Sequence, residues 1–297
     1  MKKVLLSLAM CAAFGVMQAQ VLNVESISKI DIPNVGGDAK VTAISPQGDY
    51  VLVTAGNNQG LVKYQLATGA TQELSTAPGS GYDVKVSADG QNIVYREAQF
   101  TSKHLKQTQV MQANLATGER KQLVKPTRQL NGVAVNGNTA VTVNKGKLKA
   151  KALGKEKAQA GNVLWVTQDY KLMLNERELS PLGADKRYLW PQLSPDGTKA
   201  LFFVGADAAY VCNLDGTGVQ KLGVLRAAKW VDNNTVVGMN DTDDGYFTTS
   251  SQIVAVNLQG ARQVLTSSDV IAMYPQVAPG KIAFSTPAGE AYIINLK

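Results

Sequence analysis

A single all-β domain is what these 297 residues predict: a β-propeller of four-stranded antiparallel blades, closed into a ring by its N-terminal strand. Three observations carry the prediction. A strand–turn–strand unit recurs along the chain. A glycine turn and a returning leucine follow most copies, and the two chain ends hold complementary leftovers.

The unit is clearest at 188–204, Tyr-Leu-Trp-Pro-Gln-Leu-Ser-Pro-Asp-Gly-Thr-Lys-Ala-Leu-Phe-Phe-Val. Pro195 presets φ at the second turn position, Asp196 accepts local backbone hydrogen bonds, and Gly197 takes the φ > 0 position that closes the hairpin. Copies stand at 42–53 and 84–95, and weaker ones at 133–143, 164–174, 228–238 and 274–284. Their spacing is near the ~40–45 residues of propeller repeats. It is shortest between Leu164 and Tyr188, where third and fourth strands are hard to place. Seven blades are expected, with six as the alternative.

Each second element is a third strand, a glycine turn and a fourth strand. Leu66-Ala-Thr-Gly69 leads to Leu74, Leu115-Ala-Thr-Gly118 to Leu123, Leu214-Asp-Gly-Thr-Gly218 to Leu222, and Leu258-Gln-Gly260 to Leu265. Alternation supports strands here, because Val62, Tyr64 and Leu66 share one face. The last repeat stops at 292–297, which matches a third strand. Residues 23–32 read as a lone strand before the first hairpin. Docked as the outer strand of the last blade, that segment closes the ring and covers an unpaired edge.

The segments 190–197 (Trp-Pro-Gln-Leu-Ser-Pro-Asp-Gly), 44–48 and 86–90, with the Leu-Ala-Thr-Gly turns, resemble the WD40-like PD40 repeats of TolB-type β-propellers. The resemblance spans about residues 38–297. It implies a propeller and leaves the function open. The α/β domain that precedes the propeller in TolB has no counterpart before the first hairpin.

Residues 1–19 read as a cleaved signal peptide: Lys2 and Lys3, an apolar run of about a dozen residues, and a small residue at Ala19. That run is short for a membrane span of roughly 20 residues, and a lipoprotein through Cys11 is disfavoured by Met10 before it. Residues 20–297 then form the propeller domain, periplasmic or secreted, with no transmembrane segment expected in it. Its one cysteine, Cys212, excludes an internal disulfide and sits in a buried strand pattern. The formal charge of +7 is modest, and without a localised patch or interleaved aromatics it excludes nucleic acid.

No catalytic constellation emerges. The chain has one histidine, His104. The G-x-S-x-G elbow of the hydrolases that carry such propellers is absent. Asp241, Asp243 and Asp244 are hard oxygen donors in one loop and the only calcium candidates; Ser251 stands where an EF-hand needs glutamate. Lys145, Lys147, Lys149 and Lys151 share one strand face, either as contacts for an acidic glycan or surface or as a solvated edge that resists pairing. Two long insertions, around 96–109 and 240–251, read as partner-contact loops, with Arg96, Phe100, His104, Asp244, Tyr246 and Phe247 as contacts. Trp165, Trp190 and Trp230 each open a hairpin, as ligand platforms or as packing between blades. The expected function is an exported, non-enzymatic scaffold of the cell envelope that binds a protein or a ligand, with an envelope or extracellular protein as the expected partner. The alternative is a propeller enzyme, a metal-dependent hydrolase or polysaccharide lyase, with its site at the channel mouth.

Overall fold

A computed structural model describes residues 20–36 and 38–297; the expected leader, with Cys11, lies outside them. Seven antiparallel sheets follow one another as blade 1 (40–75), blade 2 (85–127), blade 3 (130–152), blade 4 (164–178), blade 5 (188–223), blade 6 (226–264) and blade 7 (273–296). Within each blade the strands are hydrogen-bonded in chain order. First strands contact the first strands of both neighbouring blades around a closed cycle, so they line a central channel. The expected ring closure is present. Val24–Ile30 pairs antiparallel with Ala291–Leu296 as the outer strand of blade 7.

Blades 3 and 4 have three strands where four were expected. After Lys147–Ala152 the chain runs through Gly154-Lys-Glu-Lys-Ala-Gln-Ala-Gly161, which lacks the apolar alternation a fourth strand needs to face the core. In blade 4 the third strand is only Arg177–Glu178. Pro181 then removes a donor, and Gly183 turns the chain at φ 106°.

The core is a ring of seven apolar clusters, one at each interface between neighbouring blades. Leu74, Leu222 and Leu265 are buried as the returning leucines. In blade 2 a register slip puts Val124 into the core, and Leu123 is half-buried. Cys212 is buried in the blade 4–5 cluster, and burial pushes its thiol up to about 11. It is a packing residue. Trp165 and Trp230 are buried as well, with Trp165 Nε1 donating to the Asn175 carbonyl at 2.7 Å.

The repeated turns are structural. Ser45, Ser87 and Ser194 are buried, and their hydroxyls accept from the Tyr50, Asn92 and Lys199 amides at 3.2, 2.9 and 2.9 Å. Asp196 accepts from the Ser194 hydroxyl at 2.6 Å and the Thr198 amide at 3.0 Å, and the Asp196 amide donates to Asn233 in the next blade at 2.9 Å. The motif joins neighbouring blades at one end of the channel.

Candidate functional site at one mouth of the channel

The two expected contact loops are β-ribbons. In blade 2, Asn92–Phe100 pairs with Lys106–Asn114 along its whole length; in blade 6, Thr235–Asp243 pairs with Thr248–Asn257. Both expected loops are strand extensions held by ladder hydrogen bonds, with polar residues on either face. Antiparallel order puts these second-to-third-strand turns at the end of the ring where the first strands begin. Both ribbons therefore rise from the same face.

Between them the channel opens into a cavity of about 370 Å³, walled by the starts of first strands from blades 1, 2, 5, 6 and 7 and by Asp241 and Thr248 of the blade 6 ribbon. Its direction of lining is set by irregular backbone. The ladder slips at Thr42, at 190–191, at 227–228 and at 274–275. Trp190, Ala227 and Tyr274 have φ of 48°, 50° and 56°, and Asp83, just before its strand, has 51°. Bulges re-aim side chains, and non-glycine residues at positive φ concentrate where structure around them enforces strain. All four border the cavity.

Three aromatic rings rim the mouth. Tyr82, Trp190 and Tyr274 are 54%, 45% and 40% exposed. Arg96 stacks over Tyr82 with 5.3 Å to the ring centre, Lys40 lies over Tyr274 at 5.0 Å, and Trp190 leans on Phe203 at 5.4 Å. Such contacts hold the rings in place while leaving one side of each open.

Charge is concentrated below the rim. Asp83 pairs with Lys85 at 2.5 Å and with Arg96 at 3.2 Å. Enclosure pushes the Asp83 carboxyl up, but the Lys85, Arg96 and Lys229 cations outweigh it and hold its pKa below the ordinary carboxylate value. Part of the Lys229 side chain remains open to the channel, yet protein surrounds it closely. This enclosure, with Lys85 nearby, lowers its pKa to about 8 against the opposing pull of Asp83. The Asp241 side chain is 2% exposed; Oδ2 meets Arg226 at 3.0 Å and Oδ1 has no partner. Burial raises the Asp241 pKa.

The expected site residues divide accordingly. Arg96 does not project from a loop; it donates to Asp83 and to the Tyr82 and Asp83 carbonyls beneath the rim. Phe100, Tyr246 and Phe247 stand at the ribbon ends, 61%, 90% and 76% exposed, and His104 is in the blade 2 turn at φ 57°. The three aspartates do not converge. Asp241 and Asp243 lie 3.0 and 3.7 Å from Arg226, and Asp244 caps its own turn by accepting from the Tyr246 and Phe247 amides. Among the described residues no group of three potential metal ligands comes together. Lys147, Lys149 and Lys151 line the free outer edge of blade 3, with Lys145 in the preceding turn. That stripe is exposed and apart from the mouth cavity.

Sequence reasoning missed Tyr82, Tyr274, Lys85, Lys229 and Arg226. One signal was available: Trp190-Pro-Gln192 and Tyr274-Pro-Gln276 are the same aromatic-Pro-Gln triplet in two first strands. The proline occupies the bulge, where its missing N–H leaves no ladder bond unmade.

No family model and no curated protein matches the chain. Solved structures do. The β-propeller domain of Cps50 (Swd1) from Myceliophteria thermophila has a TM-score of 0.59 at 11% identity, covering 93% of this chain and 100% of that one. TolB from Acinetobacter baumannii gives 0.54 at 14%, covering 80% and 56%. An acylaminoacyl peptidase from Pyrococcus horikoshii gives 0.53 at 12%, covering 78% and 45%. The matched folds thus include an enzyme, and at these identities the likeness speaks to architecture. Among the described residues no helix is long and apolar enough to cross a membrane. The chain has the TolB-like fold, a seven-bladed β-propeller closed by its N-terminal strand.

Proposed function

We propose that this chain is an exported binding propeller of the cell envelope, non-enzymatic, which engages a protein partner through the face that carries the open mouth and both ribbons. The observation that carries this reading is the placement of exposed aromatics. Phe100, Tyr246 and Phe247 stand on two ribbons on either side of a mouth rimmed by Tyr82, Trp190 and Tyr274. Aromatic side chains are the common anchors of interfaces, and a rigid ring presents them at little ordering cost. The fold shared with TolB supports the envelope setting.

The triple variant F100A/Y246A/F247A tests this. Its thermal unfolding is expected to match the parent, because none of the three rings is in the core. Capture of the envelope partner is expected to fall at least about tenfold, since one anchor ring alone is worth ~2 kcal/mol. Unchanged capture would sink the reading.

A second reading is favoured by one observation: the same cavity is lined by a lysine with lowered pKa, Lys229, and by a buried acid, Asp241. Perturbed groups in a cleft mark reactive sites as well as ion-pair networks. That reading is a propeller enzyme acting on a polysaccharide at the mouth. Turnover that disappears in both K229Q and D241N would favour it over the binding role.

A further inference from the structure

We infer that the mouth takes an acidic sugar, with its carboxylate held where Lys85 and Lys229 face the channel and its ring laid against the aromatic rim. This rests on the reading of this face as the binding face, and it names the class of small ligand that face accepts.

The lysines come first. A second cavity, about 630 Å³, opens at the opposite end of the channel beside the Ser194–Gly197 turn. Lys85 and Lys229 border both cavities, so they stand where the two meet. The Lys229 ammonium has no ion pair or side-chain hydrogen bond among the described residues, and the charged groups that act on it are Lys85 and Asp83. Asp83 is already taken by Lys85 and Arg96. Around the mouth cavity four cations, Lys40, Lys85, Arg226 and Lys229, face two carboxylates, Asp83 and Asp241. An anion from outside completes that arrangement and relieves the repulsion between the two lysines.

Asp241 narrows the ligand further. Its buried Oδ1 lacks a donor, and an unmet buried acceptor is costly. A second carboxylate cannot satisfy it; a hydroxyl can. The ligand therefore carries an anionic group and hydroxyl donors together. Flat aromatic faces that remain open at Tyr82, Trp190 and Tyr274 suit the apolar C–H face of a sugar ring. A cavity of about 370 Å³ is at the small end of ligand pockets, room for one or two rings. A peptide also brings a carboxylate and N–H donors, but its backbone lacks the flat C–H face that the aromatic rim accepts.

Titration of the full chain with cellobiouronic acid and with cellobiose, which differ by one carboxylate, tests the inference, read by calorimetry and by tryptophan fluorescence. The acid is expected to bind at least about tenfold more tightly, the value of a charge-assisted hydrogen bond. K229Q is expected to lose that advantage and K229R to keep most of it. W190A is expected to remove the fluorescence change, whereas K147E/K149E changes nothing. Affinity is expected to fall as pH rises through about 8, where Lys229 loses its proton. The charged groups facing Lys229 there are Asp83 and Lys85, with Arg96 behind Asp83 and the Arg226–Asp241 pair on its own blade. Equal binding of the two sugars, an undiminished K229Q that melts like the parent, or binding of hexaglutamate but of neither sugar would each overturn it. If the sugars fail while partner capture still depends on the ribbon aromatics, only the ligand class is wrong.

Discussion

Deleting residues 20–32 is expected to open the ring and leave a chain that aggregates or melts far below the parent. Val24–Ile30 supplies the outer strand of blade 7, and its removal bares the whole Ala291–Leu296 edge. More is lost than one ladder. The Val21 and Leu22 amides both donate to Gln263 Oε1 of blade 6, at 2.7 and 2.8 Å, and the Lys297 amide donates to the Asn23 carbonyl at 2.9 Å. Val21, Leu22 and Val24 pack on the blade 6–7 cluster, and Ile30 and Ile32 on the blade 7–1 cluster. At roughly 1 kcal/mol for each half-buried side chain, about 5 kcal/mol of burial disappears. That is comparable with the ~5–15 kcal/mol of net stability a domain holds. The Lys29–Glu290 pair adds little, because both partners are exposed. Size-exclusion chromatography and a thermal melt decide it, and a monomer with the parent melting temperature contradicts the closure account.

Gly81→Ala is expected to be the most damaging small substitution at the mouth. Gly81 lies against blade 1 so closely that an added Cβ overlaps Thr54 at Oγ1, Cβ and Cγ2. Thr54 is fully buried, and its hydroxyl donates to the Gly60 carbonyl at 2.7 Å, so it has no room to withdraw. The glycine also fastens the two blades, with its amide donating to the Asn58 carbonyl at 3.2 Å and its carbonyl accepting from the Thr42 hydroxyl at 2.6 Å. Overpacking of this kind costs ~3 kcal/mol. For a domain of this size or somewhat smaller each kcal/mol moves the melting temperature by about 2–4 °C, so a fall of roughly 8 °C is expected. Tyr82 and Asp83 follow Gly81 directly, so ligand binding is expected to weaken with it. A melting temperature within about a degree of the parent would show that the blade 1–2 contact is looser than described.

What was legible in the sequence follows from where each feature's cause resides. The hairpins were legible because a turn is local: Ser194, Asp196 and Gly197 satisfy one another within a few residues. Ring closure was legible because a missing fourth strand and a spare first one are visible at the two ends. Blade 3 was read too regularly: its first three strands fit the repeat, and only the run at 154–161, without apolar alternation, marks the missing fourth strand. The ribbons were read as loops because polar residues on both faces hide the period of two. The mouth was illegible for a different reason. It is assembled from five blades, and the direction in which Trp190 and Tyr274 point depends on bulges at 190–191 and 274–275. The expected contacts Phe100, Tyr246 and Phe247 do stand exposed on the mouth face. The expected calcium donors instead belong to an ion pair and a turn.

A photoreactive phenylalanine analogue placed in turn at Phe247 and at Asp196 asks most directly which face binds. Phe247 is on the ribbon face, and Asp196 belongs to the turns at the opposite end of the channel. Irradiation in the intact envelope is expected to yield one discrete protein adduct from position 247 and none from position 196. An adduct from position 196 alone would place the partner on the other face and contradict the account.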